Sequence, residues 1–315
     1  MDKQEKYKLV KIDVQESQKK IKLRGIREFK KNEYEELDLN LHRLALIGKD
    51  DSLLINKENS RRIYVSGVNN DHIQISPIFK KQWSISFAGQ KHKLLLKELE
   101  SEKDFSSYSY LSRFHYRTSE EERSYIESGS RIPFKGGRNA VVICYLVQGI
   151  NQVPVGYIQL LQGLMMNKPR HILFDHPFQH SKRDIIWSEW DQETRGKYIN
   201  LFVRVGRVVT DPEYRGIGIS RELIKAAQKF SNERWHVQGV RPLFLEISAE
   251  MLKYIDFVSS SGFRYVGDTE GNLKRVTSDL RNISKVIKNN KITGGILSAQ
   301  KKYLDNFVKL SEELG

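Results

Sequence analysis

A strand-like segment that runs through a glycine-containing turn directly into a helix is the feature that most constrains this chain. Residues Leu201–Thr210 are rich in β-branched side chains, as strands are, and Asp211-Pro212 ends the run. The turn Arg215–Ser220 reads Arg-Gly-Ile-Gly-Ile-Ser, and the helix predicted after it extends to about Trp235. That helix has one apolar face, formed at spacings of three and four by Leu223, Ala226, Ala227 and Phe230.

This strand–turn–helix arrangement predicts an anion-binding site. The first N–H groups of a helix have no partner within it, and they carry roughly half a positive charge. Gly216 and Gly218 lack side chains, so a pyrophosphate can approach the backbone closely, and Ser220 adds a hydroxyl donor. An ATP-type P-loop is excluded because no Gly-Lys-Ser/Thr follows, and a dinucleotide-binding fingerprint fails on its glycine spacing. The alternative is an ordinary structural corner.

Residues 209–220, Val-Thr-Asp-Pro-Glu-Tyr-Arg-Gly-Ile-Gly-Ile-Ser, resemble the acetyl-CoA-binding motif of the GNAT acyltransferases, Q/R-x-x-G-x-G/A. Arg215 would start the motif, Gly218 would be its first glycine, and Ser220 departs from the usual Gly or Ala. The resemblance implies an α/β fold with a central mixed sheet flanked by helices. It also implies acyl transfer from acetyl-CoA, or another acyl-CoA, to a nitrogen. The expected cofactor-binding residues are Val208, Val209, Arg215, Gly216, Ile217, Gly218, Ile219 and Ser220.

Two further segments narrow the resemblance, which covers about residues 105–270. His115-Tyr116 is similar to a pair in phage Mom-like DNA-modifying members of the superfamily. Residues 246–251, with Phe257 and residues 261–267, are similar to GNAT domains fused to ABC-type ATPases. The chain has no Walker motif, so such an ATPase would be a separate partner.

Acyl transfer from a thioester needs a base, an acid for the leaving thiolate and a donor for the oxyanion. The resemblance implies that the backbone at Val208 and Val209 supplies the oxyanion donor. His115 is the first candidate base, because imidazole titrates near neutral pH, and Tyr116 would orient it. Structural packing is the alternative role for both residues.

Three more residues are candidates for the site. Tyr254 lies near the place of the tyrosine acid in many family members, although Phe257 competes for that place. Arg207 could meet a carboxylate or phosphate, or it could be a surface residue. Glu250 could anchor a substrate amine or, as we favour, cap the following helix.

An insertion over residues 165–198 is polar, aromatic and histidine-containing. We predict no metal site in it, because His171, His176 and His180 lack a regular helix or a cysteine partner. Aromatic and basic side chains alternate over residues 170–197, which suits stacking on a flipped or unpaired base, the reading we favour slightly over a lid with its own small core. These residues are Phe174, Phe178, Lys182, Arg183, Trp187, Trp190 and Arg195.

The chain divides by pattern into three parts. Residues 1–94 predict a basic, β-rich accessory domain that could bind substrate, residues 95–275 the GNAT-like domain, and residues 276–315 a helical extension. The elements predicted are strands over 7–14, 61–65, 73–78, 81–87, 139–148, 153–160, 243–247 and 263–267, and helices over 94–114 and 251–260.

The net charge of the chain is relevant to the kind of molecule that it binds. The formal net charge is +14, and residues 1–94 hold 20 Lys and Arg against 13 Asp and Glu. Such a surplus can supply phosphate contacts to nucleic acid, or it can serve solubility. A nucleic-acid base is therefore the favoured acceptor. The alternatives are a protein or small-molecule amine, and a catalytically silent binding subunit that partners an ATPase.

Composition and segment patterns limit the setting of the protein. No run of about 18 apolar residues occurs, so no membrane span is predicted, and the first residues do not have a secretory signal pattern. Cys144, the single cysteine, lies in an apolar run and predicts a core residue rather than a nucleophile. A reducing, cytoplasmic setting is expected.

Overall fold

The computed structural model describes residues 4–14, 18–25, 36–49, 51–56, 62–68, 71–115, 118–130, 132, 134, 137–249, 252 and 256–269. These residues form helices and strands in a mixed α/β fold, which confirms the predicted class. The helices are α1 (Glu102–Ser112), α2 (Glu120–Glu127), α3 (Lys168–Phe174), α4 (Gln192–Tyr198) and α5 (Ile219–Glu233). The first eight strands are β1 (Gln4–Val14), β2 (Gln18–Gly25), β3 (Glu36–His42), β4 (Ser52–Asn56), β5 (Ile63–Ser66), β6 (His72–Ser76), β7 (Lys80–Phe87) and β8 (Gln90–Glu98). The others are β9 (Asn139–Gln148), β10 (Asn151–Gln162), β11 (Phe178–Gln179), β12 (Ile186–Trp187), β13 (Phe202–Thr210) and β14 (Phe244–Ile247).

Strands β1 to β6 form an antiparallel sheet in the order β3-β2-β1-β4-β5-β6. Alternate side chains along these strands are buried or half-buried, as expected when one face of a sheet covers a core. The buried side chains include Tyr7, Leu9, Ile21, Leu23, Leu53, Ile55, Ile63, Val65, Ile73 and Ile75.

The second sheet has the order β14-β13-β10-β9-β8-β7 and is antiparallel except for its last pair, β13 and β14, which is parallel. Both faces of β9 are buried, so residues 139–146 form an unbroken buried run. Helix α1 packs on one face of this sheet. On the other face, α5 and the inner side chains of the first sheet share one hydrophobic core.

Buried polar contacts join the two sheets as well. The Glu98 carboxylate accepts from the Phe79 N–H at 2.6 Å and lies 3.5 Å from His42 Nε2. The Arg234 guanidinium, just after α5, donates to the carbonyls of Gln74 and Pro77, each at 2.7 Å. The domain boundary predicted at residue 94 falls inside β8, an interior strand of the second sheet.

By compactness the chain forms two units. The first comprises residues 1–165 and 175–265, and it contains both large sheets. The second comprises residues 166–174 and 266–315, of which residues 166–174, with α3, and 266–269 are described. The predicted helical extension over 276–315 lies outside the described residues.

Two of the predicted elements are wrong where the structure describes them. The helix predicted from Leu94 begins only after Ser101, whose capping box with Asp104 starts α1. The preceding Leu94-Leu95-Leu96 is buried and pairs with β7 and β9, so this apolar run is an interior strand. The strand predicted at Phe263–Gly267 has no regular secondary structure. Of the helix predicted over 251–260, only residues 252 and 256–260 are described, and they include the start of a 3-10 turn, Ser259–Ser261.

Cys144 lies in β9 and is fully buried, as predicted for a core residue. Burial raises the pKa of its thiol, so the thiolate is not populated at neutral pH. Among the described residues, no helix is long and apolar enough to cross a membrane.

Candidate functional site

Strand β13 changes its pairing partway along its length. Against β10 it pairs from Val203 to Thr210, with a bulge between Val205 and Arg207. On its other side β14 pairs only with Phe202–Val205. No described residue continues that pairing past Val205, so the edge of β13 over residues 206–210 is open within the described part of the chain.

The backbone direction of this open edge follows from the ladder. The Asp211 N–H donates to the Val155 carbonyl in register with the β10–β13 pairs. In an antiparallel pair the N–H and C=O of successive residues point alternately toward and away from the partner strand. The backbone groups of Val209 and Arg207 therefore point toward β10. The N–H and C=O of Val208 and Thr210 point the other way, toward the open edge. Of the two predicted backbone donors, Val208 therefore faces this edge and Val209 faces β10.

The loop after β13 is held by the carboxylate of Asp211, which is 5% exposed. Its Oδ1 accepts from the Glu213 N–H at 3.0 Å and caps the 3-10 turn Pro212–Tyr214. Its Oδ2 accepts from the Tyr110 hydroxyl of α1 at 3.1 Å. Arg215 Nε donates back to the Thr210 carbonyl at 3.3 Å. These bonds tie the path of the loop to the end of β13.

Both glycines of the loop have left-handed backbone conformations, with φ of +81° at Gly216 and +95° at Gly218. Such angles favour glycine strongly over other residues. A Cβ built on either glycine meets no atom within 4 Å, so the space beside each is open. The glycines thus satisfy backbone conformation and leave the backbone accessible.

Gly218 is the N-cap of α5 and supplies no side-chain hydrogen bond to the helix. The first N–H groups of α5 consequently have no capping side chain, and they lie at the positive end of the helix dipole. Ile219 is buried and anchors the first turn, whereas Ser220 is half-buried beside it. The four residues predicted for the apolar face of this helix, Leu223, Ala226, Ala227 and Phe230, are all fully buried.

Gly156 of β10 lets α5 begin close to the sheet. A Cβ at this position would lie 2.6 Å from the Val209 carbonyl oxygen, 3.1 Å from Leu223 and 3.3 Å from Ile219. The loop and the start of α5 are therefore fixed against β10 and β13 by contact at a glycine.

On the α1 side of the sheet, Arg207 meets a carboxylate, which is one of the roles considered for it. Its Nη2 lies 2.8 Å from each carboxylate oxygen of Glu122 in α2. Burial disfavours the charged guanidinium, but the bond to Glu122 and the neighbouring tyrosines hold the pKa of Arg207 above its ordinary value. The pair links α2 to the strand that carries the open edge.

Buried hydroxyl groups surround this ion pair. Ser112 Oγ donates to the Tyr108 carbonyl at 2.8 Å and lies 3.2 Å from the Tyr157 hydroxyl. Burial raises the pKa of Tyr157, and hydrogen bonds with Ser112 and Arg207 only partly offset that rise. The hydroxyl therefore stays protonated at neutral pH, and it can donate a hydrogen bond but not accept a proton.

His115 follows α1 and lines an open depression of about 550 Å³ between α1 and α2. Its carbonyl accepts from the Thr118 hydroxyl at 2.7 Å. The guanidinium of Arg113, also in the lining, is held by a 2.9 Å bond from Nε to the Tyr110 carbonyl and lies 4.4 Å from the centre of the Tyr110 ring. Tyr116, Glu250 and Tyr254 lie outside the described residues.

The insertion does not offer its tryptophans for stacking on a base. Trp187 and Trp190 are 5% and 2% exposed, and their rings pack in a cluster within the first unit. Their burial is contrary to the favoured interpretation for these two residues, and the cluster includes rings of β13 and β14, so it is not a core of the insertion alone. The rings around them are Phe178, Tyr198, Phe202 and Phe244.

Two histidines of the insertion, His171 and His180, form hydrogen bonds with nearby backbone N–H groups. His171 Nε2 accepts from the Asn167 N–H at 3.4 Å, and His180 Nδ1 accepts from the Lys182 N–H at 3.1 Å. Within the described residues, no three His, Cys, Asp or Glu side chains are grouped as a metal site requires.

Four residues of this region are not among the predicted site residues: Glu122, Tyr157, Asp211 and Gly206. A local signal existed for Glu122, because Ser119-Glu120-Glu121-Glu122 is a capping-box pattern. Gly206 sits at the β13 bulge, where a Cβ would lie 2.5 Å from Leu161.

Searches against models of known protein families and against curated proteins give no match for this chain.

Proposed function

We propose that this protein is a GNAT-type acyltransferase that moves an acyl group from an acyl-CoA to a nitrogen. The observation that carries the proposal is the open edge of β13 continuing through the Gly216–Gly218 loop into the uncapped start of α5. An acyl-CoA has the matching parts in the same order: an acyl thioester, an extended arm with two amides, and a pyrophosphate.

Each part of such a donor has a complementary protein group. An extended amide arm can add to a strand edge through backbone hydrogen bonds, as peptides do. The N–H and C=O of Val208 and the N–H of Thr210 face that edge, while the Thr210 carbonyl accepts from Arg215 Nε. The pyrophosphate fits the first N–H groups of α5, where open space beside both glycines lets it reach the backbone. The Arg215 side chain is exposed at the loop and adds a cation.

The arrangement of elements also supports the proposal. Two helices, α1 and α2, lie between the strands β8 and β9 in sequence, and α5 lies between the parallel strands β13 and β14. The GNAT resemblance implies a central mixed sheet flanked by helices; in the second sheet α1 covers one face, and α5 covers the other together with the first sheet. Strand β14 pairs only with Phe202–Val205, so the described residues leave the edge of β13 past the bulge without a strand partner.

In the proposed reaction the acceptor nitrogen attacks the thioester carbonyl, the C–S bond breaks, and the nitrogen loses a proton. The Val208 N–H is the donor that would stabilise the oxyanion at the open edge. His115 is the candidate to accept the proton, and Tyr116 to orient it. Tyr254 remains the candidate acid that returns a proton to the thiolate.

Arg207 has a positioning role in this proposal. Its guanidinium is occupied by Glu122, so it holds α2 against β13 rather than binding a second anion. The same pair fixes the strand segment next to the bulge, where Val208 must present its N–H. Loss of the pair would therefore disturb the oxyanion donor indirectly.

We favour a nucleic-acid base as the acceptor. The support is the net charge of +14 and the lysine-rich N-terminal segment. The buried tryptophans of the insertion do not add to that support.

Two measurements test the proposal. Isothermal titration of the purified chain with acetyl-CoA should give saturable binding, with weaker binding for Gly218→Val, whose side chain fills the space beside the loop. Gly149→Val, in the β9–β10 turn with φ of +61° and equally open space, is the matched control and should bind normally. No binding by the native chain would overturn the proposal.

Mass spectrometry of nucleosides from cells with and without the protein tests the acceptor, with His115→Ala as a further arm. A new acylated nucleoside that disappears with His115→Ala supports the nucleic-acid acceptor. An unchanged nucleoside profile with a CoA-dependent product on proteins or small amines would move the acceptor to those classes. Donor binding without turnover on any acceptor would identify a silent binding subunit.

A further inference from the structure

The outward face of the first sheet has a dense group of lysines on two neighbouring strands. We call this group the lysine face and define it as the side chains of Lys6, Lys8 and Lys11 on β1 and Lys20 and Lys22 on β2. Four of them are exposed and Lys22 is half-buried. The alternate residues of the same strands, Tyr7, Leu9, Ile21 and Leu23, are buried in the core.

Register places these lysines side by side. Lys11 lies directly opposite Lys22, and Lys8 and Lys6 continue the same face along β1 past a bulge at Val10. Neighbours two apart along a strand are separated by about 7 Å, and paired strands by about 5 Å. The lysine face is therefore a compact patch with flexible cationic stems, rather than charge scattered over the surface.

Among the described side chains, the five lysines of this face outnumber its carboxylates. Two described carboxylates share the face: Asp13, which lies 2.9 Å from Lys11, and Asp38, which is opposite Lys22. Lys11 and Asp13 are 65% and 54% exposed, so their attraction is weak in water. Asp13 is also the cross-strand neighbour of Lys20, whereas Lys6 and Lys8 pair with Leu54 and Ser52 of β4 rather than with a carboxylate.

Placing Lys11 opposite Lys22 does not help the sheet, because like charges directly across a strand pair are destabilising. Asp13 and Asp38 offset part of this repulsion, and the three lysines in excess of these two carboxylates are a charge surplus that an anion from outside can neutralise. Exposed side chains described on β1 and β2 include Val10 and Val14 but no aromatic residue, so the strands lack the anchors typical of a membrane surface.

We propose that the lysine face binds the phosphate backbone of a nucleic acid. Duplex DNA carries a charge for about every 1.7 Å of its axis, so several phosphates lie within reach of the five lysines. Backbone contacts of this kind position a nucleic acid without reading its sequence. This inference rests on the proposed function, because it gives the favoured nucleic-acid acceptor a surface on which to bind. Binding at the lysine face does not itself require acyl transfer.

The test compares two triple variants of the full chain. The first is Lys6→Gln/Lys8→Gln/Lys20→Gln in the lysine face. The control is Lys80→Gln/Lys91→Gln/Lys93→Gln, which removes three exposed lysines of β7 and β8 and changes the net charge equally. Fluorescence anisotropy with a labelled DNA duplex, its single strand and an RNA strand gives the affinity between about 50 and 200 mM salt.

The lysine-face variant should bind at least tenfold more weakly at low salt. Its slope of log affinity against log salt should be shallower by about one for each phosphate that no longer meets a lysine. The control should keep most of the affinity and slope. Equal losses in both variants, or no loss in the first, would overturn the inference, as would tight binding of the native chain to phosphatidylserine vesicles but not to nucleic acid.

Failure of this inference can be told apart from failure of the proposed function. The lysine-face variant should keep native acetyl-CoA affinity, because the β13–α5 loop does not include these residues. Loss of nucleic-acid binding with intact donor binding supports the inference. Nucleic-acid binding through the lysine face by a chain that binds no acyl-CoA would leave the docking surface standing and remove the acyltransferase.

Discussion

Arg207 of β13 and Glu122 of α2 form a two-oxygen ion pair in which both distances are 2.8 Å. The side chains are 17% and 12% exposed, so neither charge is well solvated. Glu122 also closes the capping box of α2 by accepting from the Ser119 N–H. One carboxylate thus starts a helix and attaches it to the strand beside the candidate site.

Glu122→Gln should lower the free energy of unfolding by about 1 to 3 kcal/mol, because it leaves a poorly solvated guanidinium without its counter-charge. Chemical denaturation measures the change. The double variant Glu122→Leu/Arg207→Leu is the control. Since it removes both charges together, it should lose less stability than the sum of the single leucine variants. Additive losses would show that the pair contributes no coupling.

Gly218→Ala should reduce stability by about 1 to 2 kcal/mol, because alanine is strained at a φ of +95°. No atom lies near the new methyl group, so strain alone accounts for the loss. Gly196→Ala in α4 is a matched control, since its Cβ also meets no atom and its φ is not left-handed. That variant should be stabilised by about 0.5 to 1 kcal/mol. Equal thermal unfolding of the two variants would contradict the assigned loop conformation.

Gly156→Ala should displace the start of α5. The added carbon would lie 2.6 Å from a backbone oxygen, Val209 O, which cannot rotate away as a side chain does. We expect a loss of about 1 to 3 kcal/mol of stability, as for other overpacked sites, and weaker acetyl-CoA binding. Gly206→Ala should cost less, because its close contacts are with the Leu161 side chain and the Gln159 carbonyl oxygen is 3.7 Å away. A Gly156→Ala protein with native stability would show that α5 has room to move.

The strand, loop and helix at β13–α5 could be predicted from sequence because their signals are local. A β-branched run, an Asp-Pro stop and a 3.6-residue apolar period each act within a few residues. The predicted strand Leu201–Thr210 and the observed β13, Phe202–Thr210, differ by one residue.

Strands β2, β3 and β4 have no clear sequence signal, and the predicted helix from Leu94 includes the second half of β8. In β2, Gln-Lys-Lys-Ile-Lys-Leu-Arg-Gly carries few apolar residues, and its place is fixed by pairing with β1 and β3. The run Leu94-Leu95-Leu96 is apolar at every position, which fits a buried strand or a buried helix equally well. Long-range pairing decided between them.

Side-chain partners across the site could not be read from the sequence. Arg207 and Glu122 are 85 positions apart, and Tyr110 and Asp211 are 101 apart. Each residue has an ordinary local role, so only the fold reveals the pair. For Trp187 and Trp190 the sequence suggests a role that the fold does not support. Aromatic residues beside basic ones suggest stacking on a ligand, but both tryptophans are buried.

Buried histidines should make the stability of this protein depend on pH below neutrality. His236 is fully buried after α5, where Nε2 lies 2.6 Å from the Leu46 carbonyl and Nδ1 accepts from the Gly239 N–H at 3.2 Å. These partners require a neutral ring with its proton on Nε2. Burial, with the nearby Arg138, lowers the pKa of His236 from 6.5 to about 4, and burial also lowers the pKa of His42.

A lowered pKa in the folded state means that the unfolded chain takes up the proton first. The His236 contribution is therefore present above pH 6.5 and is lost between pH 6.5 and about 4, to a total of about 3 kcal/mol. Urea unfolding at a series of pH values measures this slope. His236→Gln cannot titrate, so its stability should fall less steeply over the same interval, even where its stability at pH 7 is lower. Identical slopes in the native and variant proteins would mean that His236 binds its proton equally well in both states.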